Sequence, residues 1–415
     1  MTHSAISDIG TFSMHHDPVD RDLYPFFAEL RSQAGPVWSP RHKSWLVAHH
    51  PTVRDALGHA DLSVEKMDPF IATLAGDTRA KLDRINDVLQ HWVVFNDPPN
   101  HTRIRRALQQ VFMPKQLRQF ESDVRRIVEE MFADLDGRTE FDFIEAFALG
   151  LPARLVCQLF GVPIEDADAM SRWGHGISRF VMGGSDDQRY DDTLADLKQM
   201  RSYFSDLMAE YRTSDDDSTL LRRLVGAAGT EDGLTYDEII ATLVLILFAG
   251  LDTTANALGN MVLTLSSRPD VVDAVRADPG IAPAVIEDVL RFDTPAPMVT
   301  RVAKADLELG GVRIAAGDRL ILLLASANRD EAVFDSAGEV RADRPASPHL
   351  AFGRGIHFCL GAPLARMELR VVLLALVDRL PRWTVRTEGL VWRDELLVRG
   401  LTALPVVVDA TEGSA

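Results

Sequence analysis

The residues best suited to chemistry lie in one stretch, Phe352-Gly353-Arg354-Gly355-Ile356-His357-Phe358-Cys359-Leu360-Gly361, which runs directly into an apolar helical segment from Ala362. Cys359 therefore stands at a helix start. Unpaired backbone N–H groups and the positive end of the helix dipole stabilise a thiolate there, lowering the thiol pKa and holding the anion as a ligand. Gly353, Gly355 and Gly361 admit positive φ, so a tight loop can aim successive N–H groups at one sulfur. A lone cysteine is more often a small core residue. The other one, Cys157, sits in Leu155-Val156-Cys157-Gln158-Leu159-Phe160 with no glycine or charge beside it, and reads as inert core.

Two further clusters stand out. Ala249-Gly250-Leu251-Asp252-Thr253-Thr254 falls in the middle of a helical run over 236–265. Glycine there costs about 1 kcal/mol relative to alanine, and the threonines can bond back to carbonyls one turn earlier and bend the helix. A local conflict of this kind, flanked on both sides by apolar residues, points to function. In Asp97-Pro98-Pro99-Asn100-His101-Thr102-Arg103-Ile104-Arg105-Arg106, His101 and Arg105 are four apart and share a helix face. A guanidinium beside an imidazole donor suits carboxylates that must stay ionised in apolar surroundings.

The pattern Phe-Gly-x-Gly-x-His-x-Cys-x-Gly resembles the cysteine loop of the cytochrome P450 family, and the other motifs follow in that family's order from about Arg21 onward. The resemblance implies a mainly α fold with a small β portion, a single large domain whose long central helix lies over a haem b (iron protoporphyrin IX). It makes Cys359 the axial ligand to the iron. A thiolate there pushes electron density onto the metal and favours O–O cleavage over reversible oxygen carriage. Phe352 would shield the sulfur, with Gly353 in the loop. Ala249 and Gly250 would open an oxygen-binding groove beside the iron. Asp252 and Thr253 would be the acid and alcohol that relay protons. His101, Arg105, Arg301 and His357 match partners of the haem propionates. The family usually has glutamate three residues before Arg291, joined by an arginine that maps to Arg344. Here the position holds Asp288, one methylene shorter, so either the backbone draws closer or Glu287 substitutes; Asp288 is expected to keep the role.

Substrate is expected against residues 243–248, 295–299 and 396–398, represented by Leu243, Leu245, Phe248, Pro297, Met298, Val299 and Leu397. Such a lining favours a largely apolar small molecule. Segments 63–95 and 166–189 would form a lid, with Met182-Gly183-Gly184 as its hinge.

Apolar spacing predicts helices over 116–135, 144–160, 194–211, 236–265 and 362–380, and strands over 44–48, 306–309, 319–324 and 404–409. The aspartate-rich segment 213–218 reads as a solvated turn. No composition shift marks a linker: residues 1–20 are expected as an extension, 21–410 as the haem domain and 411–415 as a tail. With 415 residues, 46% of them hydrophobic, the chain can bury a large core. A net charge of −17 disfavours nucleic acid and anionic membrane as partners. Two cysteines make no disulfide framework, so a reducing compartment is expected. Residues 1–17 show neither leader nor anchor, and the most apolar run, 243–251, is well short of the roughly 18 residues that span a bilayer.

A cytoplasmic monomer follows as the expectation, one that uses O2 and electrons from a separate ferredoxin and ferredoxin reductase. Arg103, Arg106, Arg354, Arg366 and Arg370 would supply the basic patch for that partner. The activity implied is insertion of one oxygen atom by hydroxylation, dealkylation or epoxidation. A peroxide-driven enzyme is the second reading, which the Asp252 and Thr253 pair disfavours, and a non-catalytic haem sensor or carrier is the third.

Overall fold

The structure, a computed structural model, describes residues 22–65, 67–111, 114–182, 187–212, 218–230, 233–345, 348–380, 382–393, 395 and 397–408. The expected terminal extension and tail, the hinge residues Gly183 and Gly184, the turn residues 213–217 and Leu396 lie outside these.

Helices dominate, and the expected ones form close to their sequence bounds, at Pro114–Ala133, Gly150–Phe160, Asp187–Tyr211 and Ala362–Arg379. A π-helical turn, Ile144–Ala148, precedes the second of these. The strands are β1 (Val37–Ser39), β2 (Ser44–Val47), β3 (Leu62–Ser63), β4 (Glu140–Asp142), β5 (Val299–Ala303), β6 (Leu307–Leu309), β7 (Val312–Ile314), β8 (Arg319–Leu322), β9 (Trp383–Val385) and β10 (Pro405–Val408). They make a five-stranded sheet in the order β1-β2-β8-β5-β3, a three-stranded sheet β4-β10-β9 and the hairpin β6-β7. Leu320, Ile321 and Leu322 of the inner strand β8 are all buried, the unbroken apolar run of a strand covered on both faces. β5 pairs antiparallel with β8 and sets Arg301 opposite Leu320, so this arginine stands on a rigid strand instead of a loop.

The central run does not form one continuous helix. It divides at Leu251 into Tyr236–Gly250 and Asp252–Ser266. A capping box between Thr235 and Glu238 starts it. At the break, the Thr253 hydroxyl donates to the Ala249 carbonyl at 2.6 Å, the back-bonding that bends helices. Taken whole, residues 236–266 are long and apolar enough to cross a membrane, yet 72% of the most apolar window is buried inside the protein, where it forms core.

Behind the cysteine helix Ala362–Arg379, the helix Ala282–Phe292 carries the buried ion cluster. Asp288 Oδ1 lies 2.5 Å from Arg291 Nε and 2.6 Å from Arg344 Nε, and Oδ2 accepts from the Arg341 backbone N–H at 2.8 Å. Arg291 is fully buried and spends its remaining donors on the carbonyls of Asn328, Ala337 and Glu339. Glu287 turns to a different face, where Arg366 donates to it twice at 2.7 Å and His349 lies at 3.0 Å. The shorter aspartate thus reaches both arginines without help from Glu287.

Removing one member of such a buried cluster leaves charge without compensation. Asp288→Ala is expected to destabilise the fold by about 3–5 kcal/mol, read as a lowered urea midpoint at unchanged slope; an unchanged midpoint contradicts the role of the cluster.

Candidate active site

The loop before the cysteine helix is closed by its own backbone. The Cys359 N–H donates to the Phe352 carbonyl at 3.0 Å, that of Gly353 to Leu350 at 2.9 Å and that of Phe358 to Gly355 at 3.1 Å. Gly353 and Gly355 have φ of 68° and 74°, conformations that a side chain would strain. Gly361 departs from expectation, with φ of −81°. Its value lies in offering its N–H, which together with that of Ala362 is directed at the Cys359 sulfur. The residue is accessible, yet its thiol pKa is raised on balance, because burial of the sulfur outweighs those two N–H groups and the charges of Arg105 and Arg366. The helix start alone therefore does not lower the pKa as the sequence implied. Arg366 lies over the Phe352 ring at 4.4 Å, fixing the aromatic wall of the loop. Cys157 is buried with its thiol pushed up to about 12 by burial, the condition of an inert core cysteine.

Four nitrogen-bearing side chains gather beside this loop. The His101 and His357 rings are 4.4 Å apart between centroids. Arg105 donates to the Phe358 carbonyl at 2.6 Å, inside the loop, and Arg301 donates to the carbonyl of Thr300. Among the described residues none of the four is hydrogen-bonded or ion-paired to a carboxylate, and the His101 ring is buried against the cysteine loop near the Ile356 backbone. Burial and the mutual repulsion of these groups show in their titration. His357 falls to about 3, through burial first and then His101 and Arg301; Arg301 falls to about 10 through burial; His101 is lowered by burial and by Arg105. A cluster of buried donors that disfavour positive charge is the complement of an anionic group, and the two carboxylates of a haem b match that donor set.

On the broken helix, Ile246, Ala249, Gly250 and Thr253 share one face, and all four are at least partly accessible while Leu245, Leu247, Leu251, Asp252 and Thr254 are buried. No atom stands within 4 Å of where a Cβ on Gly250 would be. Asp252 points the other way. It is fully buried, and its Oδ1 accepts from Arg393 Nη1 at 2.8 Å and lies 3.1 Å from His175 Nε2. Burial opposes its ionisation, but the His175 hydrogen bond and the Arg393 charge prevail and hold the carboxyl at about 2.

The expected substrate lining is only partly accessible. Leu243 and Leu245 pack into the core beneath the helix Ala167–Met182, and Met298 packs with Phe26 and Phe27, at 0%, 6% and 2% exposure. Pro297 is also buried. These four are corrected to core: apolar sequence could not separate lining from packing, since both are satisfied by the same side chains. Phe248, Val299 and Leu397 retain accessible surface, and Phe248 stacks on Trp92 at 5.1 Å. Ile246 falls within the expected stretch 243–248, while His175 and Arg393 are the residues of this region that sequence reasoning gave no site role.

The basic patch is likewise partly consumed. Arg103 pairs with Glu238, Arg366 with Glu287 and Arg370 with Glu121, so three of the five expected positions are neutralised within the chain.

A profile of the cytochrome P450 family matches residues 20–279 and 281–389. The vitamin D(3) 25-hydroxylase of Pseudonocardia autotrophica is 34% identical over 391 residues, covering 93% of each chain. The 6-deoxyerythronolide B hydroxylase of Saccharopolyspora erythraea is 30% identical over 404 residues, covering 95% of this chain and 98% of that one. Among solved structures, CalO2 superposes with a TM-score of 0.87 at 27% identity, over 96% of this chain and 99% of its own. The fold and loop are those of a haem-thiolate oxidoreductase. This chain belongs to the cytochrome P450 family, whose cofactor is haem b and whose activity is monooxygenation.

One charged hydrogen bond contributes about 1.5–3 kcal/mol. Arg301→Leu is therefore expected to release haem to an apo-globin acceptor roughly tenfold faster or more, and an unchanged release rate contradicts a place for Arg301 at the cofactor.

Proposed function

We propose that this chain inserts one atom of O2 into a largely apolar small organic substrate, with Cys359 as the iron ligand and His101, Arg105, Arg301 and His357 on the haem propionates. The observation that carries the reading is the juxtaposition of an accessible cysteine, facing two backbone N–H groups, with four donor side chains that have no carboxylate partner. Bound haem supplies the oxygen chemistry, and a thiolate ligand biases it toward O–O cleavage. The stoichiometry is substrate, O2, two electrons and two protons in, oxygenated product and water out.

The chain's own residues have three tasks. The loop from Phe352 to Gly361 fixes the sulfur and limits its contact with water. The accessible face of Ile246, Ala249, Gly250 and Thr253, with Phe248, Val299 and Leu397, holds the substrate. Asp252 and Thr253 hold and pass the protons that the stoichiometry demands. An apolar substrate suits this lining, and two of the relatives are, by name, hydroxylases of vitamin D(3) and of 6-deoxyerythronolide B. Screening therefore begins with sterols and macrolactones. Electrons come from a separate ferredoxin-type donor in the cytoplasm, docking at the face that carries Arg354. Direct use of peroxide is the weaker reading, because a peroxide-driven enzyme needs no proton relay and this chain keeps both of its members.

Thr253→Ala is expected to keep consuming reductant while hydrogen peroxide replaces product, lowering product formed per electron pair roughly tenfold or more. Unchanged coupling contradicts the relay.

A further inference from the structure

We propose that His175 is the positioning residue that loads protons onto Asp252 from solvent. The inference rests on the reading of Asp252 and Thr253 as the proton relay, and adds to it the group through which the relay is filled.

Three elements converge on one buried carboxylate: the broken central helix supplies Asp252, the segment after β9 supplies Arg393, and the helix Ala167–Met182 supplies His175. Asp252 is 0% exposed, whereas the His175 side chain is 29% exposed, so the imidazole spans the distance between the carboxylate and water. Its Nε2 faces Asp252 Oδ1 at 3.1 Å, and its Nδ1 lies 3.3 Å from the hydroxyl of Ser171, one turn earlier on the same helix. Arg393, shared between Asp252 and Glu395, cannot take the part, because a guanidinium keeps its proton throughout the working range. An imidazole can give up a proton through one ring nitrogen and take one at the other.

The approach of the two helices is specifically built. His175 lies between two glycines, an arrangement that costs helix stability. A Cβ on Gly174 would collide with the Leu251 side chain and stand 3.0 Å from the Leu247 carbonyl. One on Gly176 would collide with the carboxylate of Asp196 on the helix Asp187–Tyr211. The glycines thus let the helix bearing His175 settle against the break at Leu251, directly beside Asp252. The other charged groups here are Asp196, Arg172 and Arg179, which act on one another.

In the transfer, the Nε2–H bond of the imidazolium breaks and an O–H bond forms at Asp252 Oδ1, leaving a neutral imidazole and a neutral carboxyl. Water then returns a proton to the ring. The partners of Asp252 hold the carboxyl in its ionised form, so a proton it relays must be delivered to it, and His175 is the partner with a path to solvent. The Ser178 hydroxyl, on the same helix as His175, is the further polar group beside this carboxylate.

The test uses the full haem-loaded chain. In nitrogen-15 histidine-labelled protein, a His175 imidazole resonance carrying the signature of a hydrogen bond to a carboxylate and exchanging with water is expected, absent in His175→Gln and displaced in Asp252→Asn. Oxygen consumption, supported by a ferredoxin and ferredoxin reductase pair without added substrate, is read in light and heavy water. His175→Gln is expected to lower the rate at least about tenfold and to raise the solvent isotope effect, with the carbon monoxide spectrum unchanged as the check on folding. A His175 resonance that Asp252→Asn leaves in place, or one closed to exchange with water, overturns the proposal. So does a wild-type rate and isotope effect in His175→Gln while Asp252→Asn is slow, an outcome that leaves the Asp252 and Thr253 relay standing; wild-type behaviour of Asp252→Asn overturns both.

Discussion

A sulfur that must serve as an iron ligand cannot be left to a flexible loop, and the hydrogen bond from the Cys359 N–H to the Phe352 carbonyl is the constraint on which the site depends. It closes a ring of backbone that only the positive φ of Gly353 and Gly355 can complete. Once the ring is closed, the head of the cysteine helix can present the N–H groups of Gly361 and Ala362 to the sulfur. Burial of the sulfur holds the thiol pKa up against those N–H groups and the charges of Arg105 and Arg366.

The rest of the fold keeps that ring in register with two other surfaces. Buried charge does much of this work. Asp288 binds Arg291 and Arg344, and Arg291 ties the helix Ala282–Phe292 to three carbonyls of the segment from Asn328 to Glu339. Glu287 binds Arg366 from the cysteine helix itself. Fully satisfied networks of this kind fix one arrangement, since every alternative leaves a charge unpaired. By contrast, the donors near the cysteine loop have no carboxylate partner among the described residues, and this difference separates scaffold from site. Asp252 belongs to a third class, its Oδ1 shared between partners from two different elements.

Much of this was legible in the sequence, and the reasons differ by residue. The cysteine loop, His101 with Arg105, and the Gly250 to Thr254 conflict are local patterns, in which spacing alone brings groups together. Arg301 and Arg344 needed the resemblance to a known family, because their partners are far away in the chain. Sequence alone could not divide Leu243, Leu245, Pro297 and Met298 from true lining residues, as burial against protein and burial against ligand select the same apolar side chains. It also drew one helix where Thr253 and Gly250 bend the chain into two. The glycines flanking His175 were a readable signal, since two glycines in a helix interior are costly unless something must approach closely; the approaching residue was visible only in three dimensions.

The claim that Cys359 is a thiolate ligand to haem iron is tested most directly by the absorption spectrum of the purified, reduced protein exposed to carbon monoxide. The account predicts a strongly red-shifted Soret band in the native chain that is lost in Cys359→Ser while haem is retained. A band at the position typical of histidine-ligated haem, or one that survives the substitution, would contradict it.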